Sequence, residues 1–340
     1  MFRQVSFFRL SHFILALTLS AVCGLFGSVE LHAQAANSYS AISQTGTSQI
    51  ASSQTSSPRS EVVDLWYFQT HVRHQFRTDA MALILSYTSK EKPRLRLRPW
   101  TQPLTQQRAV SVIRNRQFPM FATLSEHRQY QIPELIRTDS NLVAGLMGFR
   151  LLLSHQKNLA KLSAIQSMGD IQSKLRIGFG QHWRDYSILE ANNLTLVGTP
   201  HYSNLFPMLE ADRFDAIPRG LNQIFTEEQY WQSRFPDIQV FEEYAWYYPY
   251  PIYLYMHKDY QWIMERINYG FYRSMQDGSM RGLFKKHFQE EIDWLERKQP
   301  KLIILKNPFL ESEPSFHNLC WWAPRALIQQ INGKPPAHCN

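Results

Sequence analysis

Two successive runs of alternating short strands and helices constrain the fold of this 340-residue chain more than any other feature. The first run starts with an apolar strand at residues 61–68 and includes the alternating segment 95–98. The second starts near residue 174 with a strand that ends in glycine. Strands that alternate with helices favour largely parallel sheets covered by helices. The sequence therefore predicts the α/β fold class, with two lobes.

Residues 202–220 show this order on a small scale. Leu205 and Leu209 lie on one face of a predicted helix, and an apolar strand follows at 214–218. The strand stops at a proline and would deliver one polar side chain, Arg219, to a cleft. Because the stretch contains no nucleophile or metal-ligand cluster, it predicts a binding protein rather than an enzyme.

The order of the segments predicts that the second lobe interrupts the first. The chain would cross between the lobes near residues 144–150 and again near 244–253, which makes a two-stranded hinge around a closing cleft. The predicted boundaries are a signal peptide at 1–35, a disordered Ser/Gln/Thr-rich tether at 36–60, the first lobe at 61–146, the second lobe at 147–246, the return to the first lobe at 247–297, and a C-terminal tail at 298–340.

The N-terminus has the pattern of a secretory signal peptide. Arg3 and Arg9 precede a long apolar run that begins at Phe13, and Ala33 and Ala35 supply the small residues of a cleavage site. A retained membrane anchor is the alternative, since the run is just long enough to span a bilayer. We expect cleavage and a periplasmic location.

The charge of the chain is moderately basic, with a formal net charge of +8. A nucleic-acid surface needs a basic stripe, whereas the basic residues here are interpreted as scattered over the chain. Secretion also argues against a nucleic-acid partner. We therefore expect a moderately basic surface with no nucleic acid bound.

The chain contains three cysteines. Cys23 would leave with the signal peptide, so that Cys320 and Cys339 remain. In an oxidising compartment these two residues would form one disulfide that closes the C-terminal tail, although two unpaired thiols are the alternative.

The aromatic segment at residues 244–255 has two interpretations. It either forms a wall of the cleft at the hinge, or it is a crossover strand whose alternate side chains pack against both lobes. We favour the second interpretation and expect one or two of its tyrosines to reach the cleft.

Four short motifs carry a resemblance to a known family. They are Thr123-Leu-Ser-Glu-His-Arg128, Leu175-Arg-Ile-Gly-Phe-Gly180, Arg213-Phe-Asp-Ala-Ile-Pro218 and Asp277-Gly-Ser-Met280. In this order and behind a signal peptide, the chain resembles the type 2 periplasmic solute-binding proteins of polar amino-acid ABC transporters. The resemblance covers roughly residues 61–294. It implies a monomer that binds a small-molecule ligand between two lobes, delivers it to a membrane permease and has no cofactor.

The resemblance implies two ligand-binding residues in the first lobe. The family arginine that matches Arg128 holds the ligand carboxylate with its planar, two-pronged guanidinium, and the hydroxyl that matches Ser125 assists. The alternative for Arg128 is an ordinary surface arginine after a strand.

The chain departs from the family beyond the 214–218 strand. The family presents an aspartate there for the ligand ammonium, whereas this chain has Arg219. We therefore expect an anionic or acceptor-rich ligand, with Trp183 and Tyr67 as stacking faces. In the alternative interpretation, Arg219 pairs internally with Glu242 or Asp215.

The sequence contains no catalytic constellation. Nucleophile-elbow, zinc-helix and phosphate-loop motifs are absent, and we expect no metal site and no catalysis. A ligand-sensing module that reports to a membrane sensor protein is the alternative function. A small-molecule lyase or dehydratase on the same fold is a more distant one.

Overall fold

The computed structural model describes residues 61–69, 74–102, 104–127, 130–310 and 319–334. The predicted signal peptide and tether lie outside these ranges, as do Arg128 and Cys339. Within the described ranges, none of the helices combines the length and the hydropathy that a membrane span requires.

The described residues form eleven strands in two sheets. Their bounds are β1 Val62–Tyr67, β2 Arg94–Pro99, β3 Met120–Ser125, β4 Leu135–Arg137, β5 Phe149–His155, β6 Arg176–Gly180, β7 Thr195–Thr199, β8 Ala216–Gly220, β9 Ile238–Tyr247, β10 Ile252–His257 and β11 Lys301–Ile304.

Ten α-helices in the described residues connect and cover these strands. Their bounds are α1 Gln75–Ser86, α2 Gln106–Arg114, α3 Leu159–Ser163, α4 Met168–Lys174, α5 Tyr186–Ala191, α6 Leu205–Glu210, α7 Leu221–Gln232, α8 Gln261–Gln276, α9 Ser279–Lys298 and α10 Arg325–Asn332. The predicted α/β fold class is confirmed.

The two sheets share one strand order. The first sheet runs β2-β1-β3-β10-β4, and the second runs β7-β6-β8-β5-β9 with β11 added at its edge. In each sheet the fourth strand in this order is antiparallel to its neighbours. The fourth strand is β10 in the first sheet and β5 in the second. Each is the first strand that the chain forms after it has crossed from the other sheet. The chain therefore crosses between the sheets after β4 and again after β9.

The burial of each strand follows its place in the sheet. The central strands β3 and β5 are buried along their whole length, as expected for strands covered on both faces. In the edge strand β2, the exposed Arg94 and Arg96 instead alternate with half-buried leucines. Apolar runs thus fill the middle of the sheets, and alternating sequence forms the edge.

The strands β5 and β10 end in the same local structure. The ring Nδ1 of His155 accepts a hydrogen bond from the backbone of Lys157 at 3.2 Å, and Nδ1 of His257 accepts one from Asp259 at 3.1 Å. Each histidine thereby caps a single turn of 3₁₀-helix. The repeat of strand order extends in this way to the residue level.

Helix α9 connects the two sheets a third time, which the sequence did not predict. Near its start, Phe284 packs edge-to-face on Phe76 of α1, with ring centroids 5.6 Å apart. Near its end, Trp294 Nε1 donates a hydrogen bond to Glu242 of β9 at 3.0 Å. The helix bends at Phe288, which has non-helical dihedral angles. After α9, strand β11 pairs in parallel with β9 and extends the second sheet.

The C-terminal segment packs back onto the first crossing between the sheets. Trp322 is buried, and its Nε1 donates a hydrogen bond to the carbonyl of Ala144 at 2.8 Å. This region, predicted only as a C-terminal tail, contains β11 and α10. Cys320 is disulfide-bonded, and its predicted partner Cys339 lies outside the described residues.

Candidate functional site

The candidate site lies where parallel strands of both sheets end. The strands β1, β3, β6 and β8 end at Tyr67, Ser125, Gly180 and Gly220. In open α/β sheets, ligands bind beyond the carboxyl ends of the strands. Side chains that follow β6 reach groups of the first lobe, as the contacts of Arg184 below show. The ends of both sets of strands therefore contribute to one region.

Arg150 forms the buried centre of this region. It is the second residue of β5 and lies directly opposite Gly220 of β8, and its Nη2 lies 2.8 Å from Oδ2 of Asp185. The hydroxyl of Tyr248 donates to the same carboxylate oxygen at 2.8 Å. The rings of Tyr248 and Tyr250 lie 5.1 and 5.2 Å from the guanidinium carbon. The charge of Arg150 is thus matched by one carboxylate and covered by two aromatic faces.

Gly220 makes room for this arginine. A Cβ at position 220 would lie 2.9 Å from Oδ1 of Asn222 and 3.3 Å from Nη1 of Arg150. Among the described residues, neither Oδ1 of Asn222 nor Nε of Arg150 has a hydrogen-bond partner. An unpaired buried acceptor and an unpaired buried donor therefore lie on the two side chains that flank Gly220.

Ser125 is buried at the end of β3 and forms a hydrogen bond with Tyr250. Burial raises the pKa of Tyr250 above its ordinary value, and the Asp185 carboxylate adds to this effect. The phenol therefore stays protonated at neutral pH. Through Tyr250, the predicted ligand residue Ser125 is connected to the Arg150 cluster. The aromatic segment thus contributes Tyr248 and Tyr250 to this region.

Arg219 is paired internally, but with a different carboxylate from those predicted. Its Nε and Nη2 each lie 2.6 Å from an oxygen of Glu227. Glu242 and Asp215, the two predicted partners, instead pair with Lys298 and Lys161. The guanidinium of Arg219 is therefore already satisfied by a two-pronged ion pair.

Trp183 and Arg219, both predicted as ligand residues, lie together. The guanidinium carbon of Arg219 is 4.5 Å from the Trp183 ring and 5.5 Å from the Tyr202 ring. The Trp183 indole packs onto the bare face of Gly180, where a Cβ would lie 2.4 Å from it. Burial, and then the charge of Glu227, raises the pKa of Tyr202 to about 12.

Arg150 and Arg219 lie on opposite faces of the second sheet. Arg150 is opposite Gly220, and Leu151 is opposite Arg219 on the next strand. Because side chains alternate between the faces along a strand, the two guanidinium groups point to different sides. The candidate site therefore consists of two separate arginine clusters.

Tyr67 packs within the first sheet. Its ring stacks on Phe121 at 5.9 Å. Beyond it, Gln69 bridges to β3 through hydrogen bonds to the backbone of Thr123. Arg77 of α1 donates to the hydroxyl of Thr123 at 2.8 Å. The predicted carboxylate receptor, Arg128, lies outside the described residues.

Arg184 is a candidate residue that the sequence analysis missed. It follows β6 on the second sheet, but its Nε donates to Gln106 of α2 at 3.3 Å. Its guanidinium carbon also lies 4.4 Å from the ring of Tyr130. Burial lowers the pKa of Arg184 below its usual value. The ion pairs of the described residues include no carboxylate for Arg184. Its place one residue after Trp183 was the available signal.

The described residues contain no group of three histidines, cysteines, aspartates or glutamates that would hold a metal ion. The polar side chains of the region are instead arginines, carboxylates, amides and hydroxyls. Such a set offers both hydrogen-bond donors and hydrogen-bond acceptors.

The chain matches no protein-family model and no curated protein. It is similar to the substrate-binding protein of an amino acid ABC transporter, with 12% identity over 67% of this chain and 99% of that one, and a TM-score of 0.44. It is also similar to the arginine-bound substrate-binding protein AbpA of Streptococcus pneumoniae, with 13% identity over 68% of this chain and 96% of that one, and a TM-score of 0.46. For the L-cystine solute receptor of Neisseria gonorrhoeae the identity is 11% over 67% of this chain and 92% of that one, and the TM-score is 0.41. Likenesses at this level assign no ligand.

Proposed function

We propose that the chain captures a small solute with a carboxylate or another acceptor-rich anionic group between its two sheets, without transforming it. The observation that carries the proposal is the set of arginines near the strand ends, Arg150, Arg184 and Arg219. Two of them have a carboxylate partner, and Arg184 has none among the described residues.

The charges around the region favour a ligand with one anionic group. Asp185 matches Arg150, and Glu227 matches Arg219, so these pairs contribute little net charge. Arg184 remains a cation that is partly withdrawn from water. An incoming carboxylate would compensate the cost of desolvating that cation. A ligand ammonium placed there would be repelled.

The unpaired atoms beside Gly220 favour a ligand with further polar groups. Nε of Arg150 would donate a hydrogen bond, and Oδ1 of Asn222 would accept one. A solute that carries both an acceptor and a donor satisfies both atoms. Trp183 and Tyr202 supply aromatic surface near the second cluster.

The proposed location is the periplasm, and the proposed partner is a membrane permease. The first support is the signal-peptide pattern at the N-terminus. The second is that the two sheets have the same strand order and that the chain passes between them more than once. Two α/β lobes joined by crossing segments form a cleft that closes around a ligand.

A thermal-shift screen of small carboxylates, amino acids and their N-acylated derivatives tests the proposal, since a ligand raises the melting temperature by mass action. For the best hit, titration calorimetry with Arg184→Ala is expected to show about tenfold to hundredfold weaker binding, because a charge-assisted hydrogen bond is lost. Arg281→Ala, which removes an exposed arginine on α9, is the matched control and is expected to bind as wild type.

Equal affinity of wild type and Arg184→Ala for a tight ligand would contradict the role of Arg184. A screen in which only cationic solutes raise the melting temperature would contradict the ligand class. Product analysis after prolonged incubation separates capture from turnover, and a changed ligand would favour the lyase alternative.

A ligand sensor that signals to a membrane protein is a second candidate. The observation that favours it is the contact of Trp322 with Ala144, which ties the C-terminal segment to a crossing between the sheets. A change in the relative position of the sheets would thereby reach the end of the chain. Pull-down of the ligand-loaded protein with permease or receptor fragments distinguishes the two candidates.

A further inference from the structure

A groove of about 560 Å³ lies on the first lobe, at the edge formed by β2. Its floor is apolar, with Leu85 of α1 and Leu95 and Leu97 of β2. Lys90 and Arg94 line it as well, together with Arg266 of α8. None of the strand ends described above contributes to this groove.

The cations of this edge differ in their partners. Lys92 pairs with Glu61, Arg96 and Arg98 pair with Asp64, and Arg266 pairs with Glu91. Lys90 and Arg94 are exposed and have no ion pair within the described part of the chain. The expectation that basic residues are scattered was therefore wrong for this edge, since alternate residues from Lys90 to Arg98 are basic.

The backbone of β2 adds a second binding feature. The strand is the outermost of its sheet, so one side of it pairs with β1 and the other side with no strand among the described residues. The amides of Arg94 and Trp100 donate to the β1 side. Because the N–H and C=O groups of alternate residues point the same way along a strand, those of Leu95 and Leu97 point away from β1. They are available to pair with another strand.

We propose that this edge binds an extended acidic peptide segment of a partner protein, which adds as a strand beside β2. The free amides of Leu95 and Leu97 hold its backbone, the apolar floor takes its apolar side chains, and Lys90 and Arg94 pair with its carboxylates. A flat anionic membrane surface would pair with the cations, but it would not form hydrogen bonds with the backbone groups of β2. The observations therefore favour a peptide over a membrane.

The test uses the purified mature protein and a short fluorescein-labelled peptide in which glutamate and valine alternate. Fluorescence anisotropy is expected to show binding that weakens as salt is added. The double variant Lys90→Gln/Arg94→Gln is expected to bind about tenfold more weakly. Lys285→Gln/Lys286→Gln removes the same charge from the exposed face of α9 and is expected to bind as wild type.

A second peptide, N-methylated on every amide so that it has no backbone N–H to donate to a strand, is expected not to bind. If this methylated peptide bound as tightly as the unmodified one, strand addition would be contradicted. If both double variants weakened binding of the unmodified peptide equally, the effect would be one of net charge and not of this edge. If Lys90→Gln/Arg94→Gln dimerised in analytical ultracentrifugation, the role of these cations would instead be to prevent edge-to-edge association of two copies of the chain. A membrane would be the occupant instead if the wild-type protein sedimented with phosphatidylglycerol vesicles and the peptide did not compete. In that case Lys90→Gln/Arg94→Gln would no longer sediment with the vesicles.

Discussion

The guanidinium of Arg219 meets the carboxylate of Glu227 with two hydrogen bonds of 2.6 Å, beneath the rings of Trp183 and Tyr202. The side chain of Arg219 is only 6% exposed and that of Glu227 16%. If Glu227 were neutralised, the positive charge of Arg219 would remain without a partner in a surrounding of low polarity. The pair therefore fixes the end of β8 against α7.

Glu227→Gln is expected to lower the free energy of unfolding by about 3 kcal/mol, because it leaves a buried guanidinium without a counter-charge. Urea unfolding followed by circular dichroism measures this loss. Glu190→Gln makes the same chemical change on an exposed carboxylate of α5 and is expected to cost less than about 0.5 kcal/mol. Similar values for the two variants would show that Arg219 is solvated.

The partner of Arg219 was not predictable from the sequence. Arg219 and Glu227 are eight residues apart, in a strand and in the helix that follows it. No spacing rule for a single helix or strand connects such positions. Both Trp183 and Arg219 were identified by type as site residues, but their contact needed the fold.

At the scale of elements, helices α1 and α8 approach closely at one glycine. A Cβ on Gly270 of α8 would lie 2.2 Å from the backbone oxygen of Ile84 in α1. Backbone atoms cannot move aside as the end of a flexible side chain can. Gly270 therefore sets the separation of the two helices that cover the first sheet.

Gly270→Ala is expected to destabilise the protein by about 2 kcal/mol or more, since the new methyl group forces the helices apart. Gly282→Ala on α9 is the matched control, because nothing lies within 4 Å of a Cβ there. Alanine has the higher helix propensity, so this control is expected to gain up to about 1 kcal/mol. Thermal unfolding of both variants measures the difference, and two changes of the same sign would contradict it.

The strand-helix order was predictable because each element carries its own periodic pattern. The strands β1, β2, β6 and β8 lie where alternating or apolar runs predicted them. The position of β11 was missed, since Lys301-Leu-Ile-Ile304 is short and follows a proline. What decides its structure is the free edge of β9, which is distant in sequence.

At the scale of the whole molecule, the three connections between the sheets bear on how the chain unfolds. Two are the crossings after β4 and β9, and the third is α9 with β11. The C-terminal Trp322 and Asn307 also hydrogen-bond to the carbonyls of Ala144 and Pro249, one in each crossing. Neither sheet is therefore complete without segments that depend on the other.

We expect differential scanning calorimetry of the purified protein to show one cooperative transition, with equal calorimetric and van't Hoff enthalpies. Two lobes joined by a simple hinge would instead unfold in two separable steps. Two resolved peaks, or a calorimetric enthalpy about twice the van't Hoff value, would contradict the prediction.

Strand β11 also determines when folding can finish. It lies at residues 301–304, so the second sheet lacks this strand until the segment beyond α9 has been synthesised. The first sheet likewise waits for β10 at residues 252–257. Both sheets therefore stay incomplete until these late strands have left the ribosome, and a nascent chain that carries only the earlier strands can close neither sheet.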